Sequence, residues 1–309
     1  MSITPVCVGI DVSKAYLDIF DPLAGDFRIE NTISAVSAFV STQLGQGRFV
    51  VFEATGCYDR ALRLCLEAAC VPHARVNPEQ ARNFARALGR RAKTDAVDAR
   101  MLADFGRALA PKPRPPSDLA RENLAIRHKR RDQLVAMRQQ EVVRRNECED
   151  AATADSLTRH LAWLDKEIEA VEDGIRAAIA ADESLRKAER RLRSVPGIGP
   201  VAAAALLALM PELGRRSPKA IAALAGLAPF NNDSGKRRGQ RVIKGGRARV
   251  RKALYMAALA AANSKTRLGD FARKLRAAGK PPKLVLIALA RKILVILNAI
   301  CRENASFAC

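Results

Sequence analysis

The chain has 309 residues, with 53 Lys+Arg against 32 Asp+Glu and a formal net charge of +21. At 49% hydrophobic residues it is not a disordered chain, and its length suits about two domains with real cores. The charge favours a polyanionic partner, and seven scattered cysteines with no CxxC pair indicate neither a disulfide framework nor a cysteine zinc site.

The first third is expected to be α/β. Val6 to Val12 is an apolar run of strand length, Ala15 to Phe20 alternates, and Phe27 to Asn31 is a third strand. Arg48 to Glu53 and Val71 to Val76 supply two more, with helices between them at about 33–44, 58–70 and 77–88. Pro111, Pro113, Pro115 and Pro116 then end the first domain, because proline cannot continue a helix.

The middle third reads as long helices. Leu157, Leu161, Leu164, Ile168, Val171 and Ile175 are spaced 4, 3, 4, 3, 4, a heptad seam. A preceding helix around 118–150 would complete an antiparallel coiled-coil hairpin. The seam is a candidate for subunit contact; the plainer alternative is two helices packed within one chain. In the last third, Leu284 to Ile300 is the longest apolar stretch, but Arg291-Lys292 interrupts it. It reads as a buried helix rather than a membrane span of ~20 residues. No secretory signal is visible, so a cytoplasmic, nucleoid-associated location with no membrane partner is expected.

The charge is unevenly placed. Residues 1–110 hold 13 basic and 12 acidic side chains, residues 111–190 hold 16 of each, and residues 191–309 hold 24 against 4. These three blocks are the expected domains. The basic one opens on Ser194 to Met210, where Pro-Gly-Ile-Gly-Pro resembles a helix-hairpin-helix. Gly197 and Gly199 would let backbone N–H groups and a helix N-terminus approach a phosphate; the alternative is a plain helix–helix turn. Between Lys236 and Lys252 there are nine basic residues and no acid, among them Lys236, Arg237, Arg238, Arg241, Lys244 and Arg247. Such a run suits the phosphate backbone. Aromatic residues are sparse there, so base stacking on single strands is poorly supported.

Four acids of the first third stand at informative places. Asp11 ends the first strand in Gly9-Ile10-Asp11-Val12-Ser13-Lys14, and Glu53 ends the fourth in Phe52-Glu53-Ala54-Thr55-Gly56. Asp95 and Asp98, in Lys93-Thr94-Asp95-Ala96-Val97-Asp98-Ala99, are three apart and share a helix face. Together they could converge on a divalent cation, and two such ions can activate a nucleophile at a phosphodiester. Singly, each has a bland reading as a turn cap, an ion-pair partner or a solvated face. Ser234, in Asn231-Asn232-Asp233-Ser234-Gly235, could attack a phosphate as a nucleophile, although by composition the segment is an ordinary turn.

In this order and spacing, GIDVSK, FEATG and KTDAVDA resemble the RuvC-like DEDD domain of one insertion-sequence transposase family, which includes the Piv-type DNA invertases and the bridge-RNA-guided recombinases. Ala228-Pro229 followed by Ser234-Gly235, Gly239 and a basic Gly-Gly-Arg segment resembles that family's C-terminal transposase domain. The resemblance implies an α/β RNase H/RuvC-like N-terminal domain, an α-helical coiled-coil middle and a mostly α-helical basic C-terminal domain. It implies Mg²⁺, two ions per site with Mn²⁺ as a substitute, held by Asp11, Glu53, Asp95 and Asp98, and Ser234 as the nucleophile. It also implies double-stranded DNA as substrate, a structured guide RNA, and a homo-oligomer, dimer or tetramer, with a composite site. The competing expectation is a metal-dependent junction-resolving nuclease that uses the carboxylates without a covalent serine.

Overall fold

The computed structural model describes residues 6–44, 47–89, 95–114, 116, 118–230 and 242–307, with backbone alone for Asp95, Ala96, Val97 and Phe230. It divides into two compact units, residues 1–117 and 118–309.

The N-terminal unit is built on one mixed sheet. Its strands are β1 (Val6–Val12), β2 (Tyr16–Asp21), β3 (Gly25–Glu30), β4 (Arg48–Glu53) and β5 (His73–Val76), in the order β3-β2-β1-β4-β5. β1, β2 and β3 are antiparallel neighbours, whereas β4 and β5 run parallel to β1. Alternation along the strands divides the side chains between two cores. Val8, Ile10, Val50 and Phe52 face α1 (Ile33–Thr42) and α2 (Arg60–Ala68). Cys7, Phe49, Val51, Ala74 and Val76 face the opposite layer, with Met101, Leu102 and Phe105 of α4 (Asp95–Leu109). α3 (Pro78–Ala87) completes that layer.

α4 lies directly on the backbone of β1. A Cβ added to Gly9 would meet Ala99 O at 1.9 Å and Ala103 N at 2.5 Å, and one added to Gly106 would meet Val51 Cγ2 at 2.7 Å. Only glycine permits that approach at Gly9. Arg100 pins the same helix to the sheet edge, donating to Asp26 at 2.9 Å with its guanidinium over the Phe20 ring.

The C-terminal unit is helical. α5 (Leu119–Asn146) and α6 (Ala151–Ala181) form an antiparallel pair. Arg127 donates to Gly174 O, Arg131 pairs with Glu172 and Arg138 with Asp165, a descending register. Leu161, Leu164 and Ile175 of the heptad seam are buried in this pair, so α5 of the same chain covers the seam. α7 (Glu183–Arg193), α8 (Pro200–Leu209), α9 (Pro218–Leu224), α10 (Ala248–Ala261), α11 (Arg267–Ala277) and α12 (Pro282–Glu303) share one core. α8 is its centre, with Ala203 to Ala208 all buried. A two-stranded ladder, β6 (Pro229–Phe230) with β7 (Val242–Ile243), sits between α9 and α10.

α12 is long and apolar enough to cross a membrane by length and composition. In this fold Val285, Leu289, Ile293, Leu294 and Leu297 are fully buried in the helical core. Its buried Asn298 accepts from Gly214 N at 2.8 Å and donates to Arg216 O at 3.0 Å, tying the helix to the loop after α8.

Candidate catalytic and nucleic-acid-binding sites

The register of β1 and β4 pairs Gly9 with Val51 and Ile10 with Phe52. One step further along the parallel strands puts Asp11 beside Glu53, both on the face covered by α4. That helix runs opposite to β1, because Gly106 packs on Cys7 while Ala99 and Ala103 pack on Gly9. From Gly9 to Asp11 the strand advances about 6.6 Å, which matches a little over four residues of helix at 1.5 Å each. The first turn of α4, which carries Asp95 and Asp98, is therefore level with Asp11 and Glu53. Asp98 is half-buried there, as are Asp11 and Glu53. Asp95 is placed by its backbone in the same turn.

Two residues after Glu53, the Thr55 hydroxyl is buried without a hydrogen-bond partner among the described residues. Arg75 of β5 fixes the loop between Glu53 and α2, reaching Asp59 at 2.5 Å and Gly56 O at 3.2 Å. Asp59 is almost fully buried. Asp18, directly across from Asp11 in β2, is a fifth carboxylate on this face. Arg28 holds it through two bonds of 2.9 and 3.2 Å. Strand alternation is the signal that could have placed Asp18 there, and nothing local to one strand pairs Arg75 with Asp59.

Among the described residues no three Asp, Glu, His or Cys side chains are close enough together to hold an ion. Asp11, Glu53 and Asp98 are described and level with one another, yet their side chains do not form such a group; the side chain of Asp95, the fourth acid, lies outside the description. All four are carboxylates, the donor chemistry of a hard divalent cation, so the residues present fit such a metal.

In the C-terminal unit, α7 and α8 are joined by the Pro-Gly-Ile-Gly-Pro turn. Gly197 has φ +90°, and a Cβ there would lie 2.3 Å from Ala257 O of α10. Its missing side chain therefore makes room for the protein's own helix. Gly199 is the N-cap of α8 and offers no side chain to the first turn. Lys244 is exposed. Arg247 forms a two-bond pair with Glu212, each 2.6 Å, and donates to Leu209 O at 2.7 Å, closing the C-terminus of α8. Burial pushes the Glu212 carboxyl up, but the Arg247 bonds outweigh it and its pKa lies below the ordinary value. Ser234, Lys236, Arg237, Arg238 and Arg241 lie outside the described residues, in the segment that β6 and β7 bracket.

An α/β unit with carboxylates at adjacent strand ends is thus followed in the chain by a strongly basic helical unit. Residues 8–148 match the transposase model of the DEDD type. Residues 189–273 match the model described as the transposase IS116/IS110/IS902 family. The chain belongs to this family of insertion-sequence transposases. It is similar to the pilin gene-inverting protein of Moraxella lacunata, 29% identical over 267 residues, which are 84% of this chain and 81% of that protein. The pilin gene-inverting protein of Moraxella bovis matches to the same extent. The IS116 44.8 kDa protein of Streptomyces clavuligerus is 32% identical over 178 residues, 56% of this chain and 43% of that protein. As a member of the family the chain is a transposase, an enzyme of DNA recombination, and a domain of the DEDD type uses divalent metal.

Proposed function

We propose that the protein cuts and rejoins DNA through a covalent serine–DNA intermediate, with the acids of the N-terminal unit and Ser234 as its catalytic groups. The observation that carries this reading is the placement of Asp11, Glu53 and the first turn of α4 at one level on one face of the sheet. That face is of the RNase H/RuvC-like kind, and Asp11, Glu53, Asp95 and Asp98 would hold the metal, Mg²⁺ or in its place Mn²⁺. A divalent ion supplies Lewis-acid stabilisation of the charge that builds on a phosphate oxygen. The hydroxyl of Ser234 attacks phosphorus as it gives up its proton. A phosphoserine ester forms, the DNA P–O bond breaks and the leaving oxygen takes a proton. The hydroxyl of a partner strand then reverses the attack and frees the serine. Because the ester keeps the phosphodiester bond energy, no nucleotide cofactor is required.

The acids occupy a part of the chain with almost no net charge, so the grip on duplex DNA belongs to the basic segment around Ser234 and Lys244 and to the helix-hairpin-helix-like turn. Backbone contacts of this kind carry no sequence information, which supports target choice by base pairing with an element-encoded guide RNA. Two duplexes held together call for a homo-oligomer, a dimer or tetramer. The test is a denaturing gel of protein mixed with end-labelled element DNA and Mg²⁺. The wild type gives a protein–DNA adduct, Ser234→Ala gives none while still binding DNA, and Asp11→Asn gives neither adduct nor nick. A nick without an adduct would instead favour the junction-nuclease reading. Adding the element's own transcript is expected to stimulate adduct formation; no effect would remove RNA guidance.

A further inference from the structure

One rung of the N-terminal sheet carries a row of charges on the face that α4 covers. Asp11 of β1 pairs with Asp18 of β2, and Asp18 pairs with Arg28 of β3. Directly opposed residues of antiparallel strands share a face, with Cβ atoms about 5 Å apart. Glu53 of β4 lies on the other side of Asp11, so the row reads Glu53, Asp11, Asp18, Arg28. The neighbouring rung on this face is Gly9, Phe20 and Asp26, and there Arg100 of α4 answers the acid. Three carboxylates side by side repel one another unless cations are shared out among them.

Asp18 receives its own cation. Arg28 donates from Nε to Asp18 Oδ1 at 2.9 Å and from Nη2 to Asp18 Oδ2 at 3.2 Å. Both oxygens of Asp18 are thus held in one guanidinium fork, which fixes direction as well as charge. The fork is itself steadied, because its carbon lies 5.3 Å from the centre of the Tyr16 ring. Asp18 is buried, whereas the Arg28 side chain is 52% exposed. A half-solvated arginine of the edge strand therefore reaches inward to a buried acid. The plain reading is a cross-strand ion pair that stabilises the sheet edge. Its place has a second consequence: the acid it neutralises adjoins Asp11 yet does not belong to the four.

We propose that Arg28 is a positioning residue of the metal centre. By holding both oxygens of Asp18 it keeps this fifth carboxylate out of the ligand set, so that the cation is confined to Asp11, Glu53 and the acids of α4. In this role Arg28 acts through Asp18 and not on the reacting atoms. Released from Arg28, Asp18 offers a hard cation two more oxygens one strand spacing from Asp11. The ion then binds more tightly but is drawn toward β2, away from the position the four acids define. The inference rests on the metal-binding reading of those four acids and adds to it the residue that fixes where on the sheet the ion sits.

The test is Mn²⁺ binding to the whole chain at low salt without DNA, read from the EPR signal of the free ion. Asp18 is about one and a half strand spacings, roughly 7 Å, from the midpoint of Asp11 and Glu53. One unit charge acting on a divalent ion over that distance in water changes its affinity roughly sevenfold. Arg28→Gln is therefore expected to bind Mn²⁺ roughly sevenfold tighter and Asp18→Asn roughly sevenfold more weakly, and the double variant should return to within about twofold of wild type. In the adduct assay at saturating Mn²⁺, Arg28→Gln should be about tenfold slower despite its tighter ion, the scale of a small misplacement, and adding Asp18→Asn should restore the rate. A merely structural pair would weaken Mn²⁺ binding in both single variants and could not give opposite signs. Asp18→Asn needs no counter-charge, so it carries the test if melting curves show Arg28→Gln unfolded. Unchanged affinity in the single variants, or tighter binding without slower adduct formation, overturns the positioning role. So does a loss of Mn²⁺ in Asp18→Asn as complete as in Asp11→Asn, which would make Asp18 a ligand. In each of these cases, binding that Asp11→Asn abolishes leaves the metal reading standing. A wild type that binds no Mn²⁺, or an Asp11→Asn chain that binds it as well as wild type, overturns both.

Discussion

Gly9→Ala is the sharpest probe of how the carboxylates are placed. The added methyl would sit 1.9 Å from Ala99 O and 2.5 Å from Ala103 N. Both are backbone atoms of α4, so neither can swing aside as a side chain would. Relieving the closer contact to 3.0 Å moves the helix off the strand by at least about 1.1 Å (3.0 − 1.9). Overpacking of this kind destabilises by roughly 1–3 kcal/mol, which for a unit of this size lowers Tm by about 4–8 °C per kcal/mol. The larger effect is on chemistry. Asp95 and Asp98 ride on the displaced helix while Asp11 and Glu53 stay on the sheet, and a misplacement of about 1 Å can reduce a rate ~10²-fold. The assay is the rate of adduct formation on element DNA, at a temperature where melting curves show both proteins folded. Gly106→Ala is the control. Its methyl meets Val51 Cγ2 at 2.7 Å and Cys7 Sγ at 3.1 Å, side-chain atoms that can give, about two to three helical turns from the acids. It should lower Tm and keep cleavage within about tenfold of wild type, on the same scale of misplacement. A folded Gly9→Ala protein that cleaves at the wild-type rate would refute the coupling of helix seating to the site.

Arg75→Met leaves the buried Asp59 without its partner and should destabilise the N-terminal unit by about 3 kcal/mol, read by urea unfolding; a loss under about 1 kcal/mol would mean the pair contributes little. Arg247→Ala removes a two-bond pair and a helix-end bond, so it should lower stability by about 2 kcal/mol and leave the salt slope of DNA binding unchanged. A reduced slope would put Arg247 on a phosphate instead. Burial holds the His128 pKa below the ordinary imidazole value, with Asp132 and the Val201 backbone opposing and Arg249 and Arg131 adding to the depression. Between that folded value and about 6.5 the unfolded chain binds the extra proton. The C-terminal unit should therefore lose stability as pH falls below about 6.5, and a His128→Gln protein should show a flatter profile. An identical profile in the variant would assign the pH dependence to other groups.

Legibility in the sequence followed burial. β1 and β4 have the expected limits because both are apolar runs covered on two faces, and each breaks pattern at its end. β3 was expected at Phe27 to Asn31 and lies at Gly25–Glu30; it is an exposed edge strand, so little apolar alternation marks its register. β5 begins at His73 rather than Val71, since Pro72 in between has no N–H for a ladder. The heptad seam was legible as a buried face but not as to what buries it. Its cover, α5, presents few apolar residues of its own and meets α6 through Arg131, Arg138 and Arg127. Periodicity reports that a face is covered and is silent about the covering element. Around the acids, spacing could suggest strand ends and a helix face. The seating of α4 on Gly9, the Arg28–Asp18 pair and the Arg75 clamp depend on register between distant segments, which no local pattern carries.

The burial of α12 bears on how copies of such a gene decay. The helix is the last long element of the chain, and its Val285, Leu289, Ile293 and Leu297 are wholly enclosed by the helices before it. A reading frame interrupted before Pro282 leaves α7 to α11 without the surface they close on, while the N-terminal sheet keeps all of its own core. Such a truncated product would retain the acids and lose a folded basic unit. It would be a poor competitor for element ends, so interrupted copies should be silent bystanders rather than inhibitors of intact ones in the same cell.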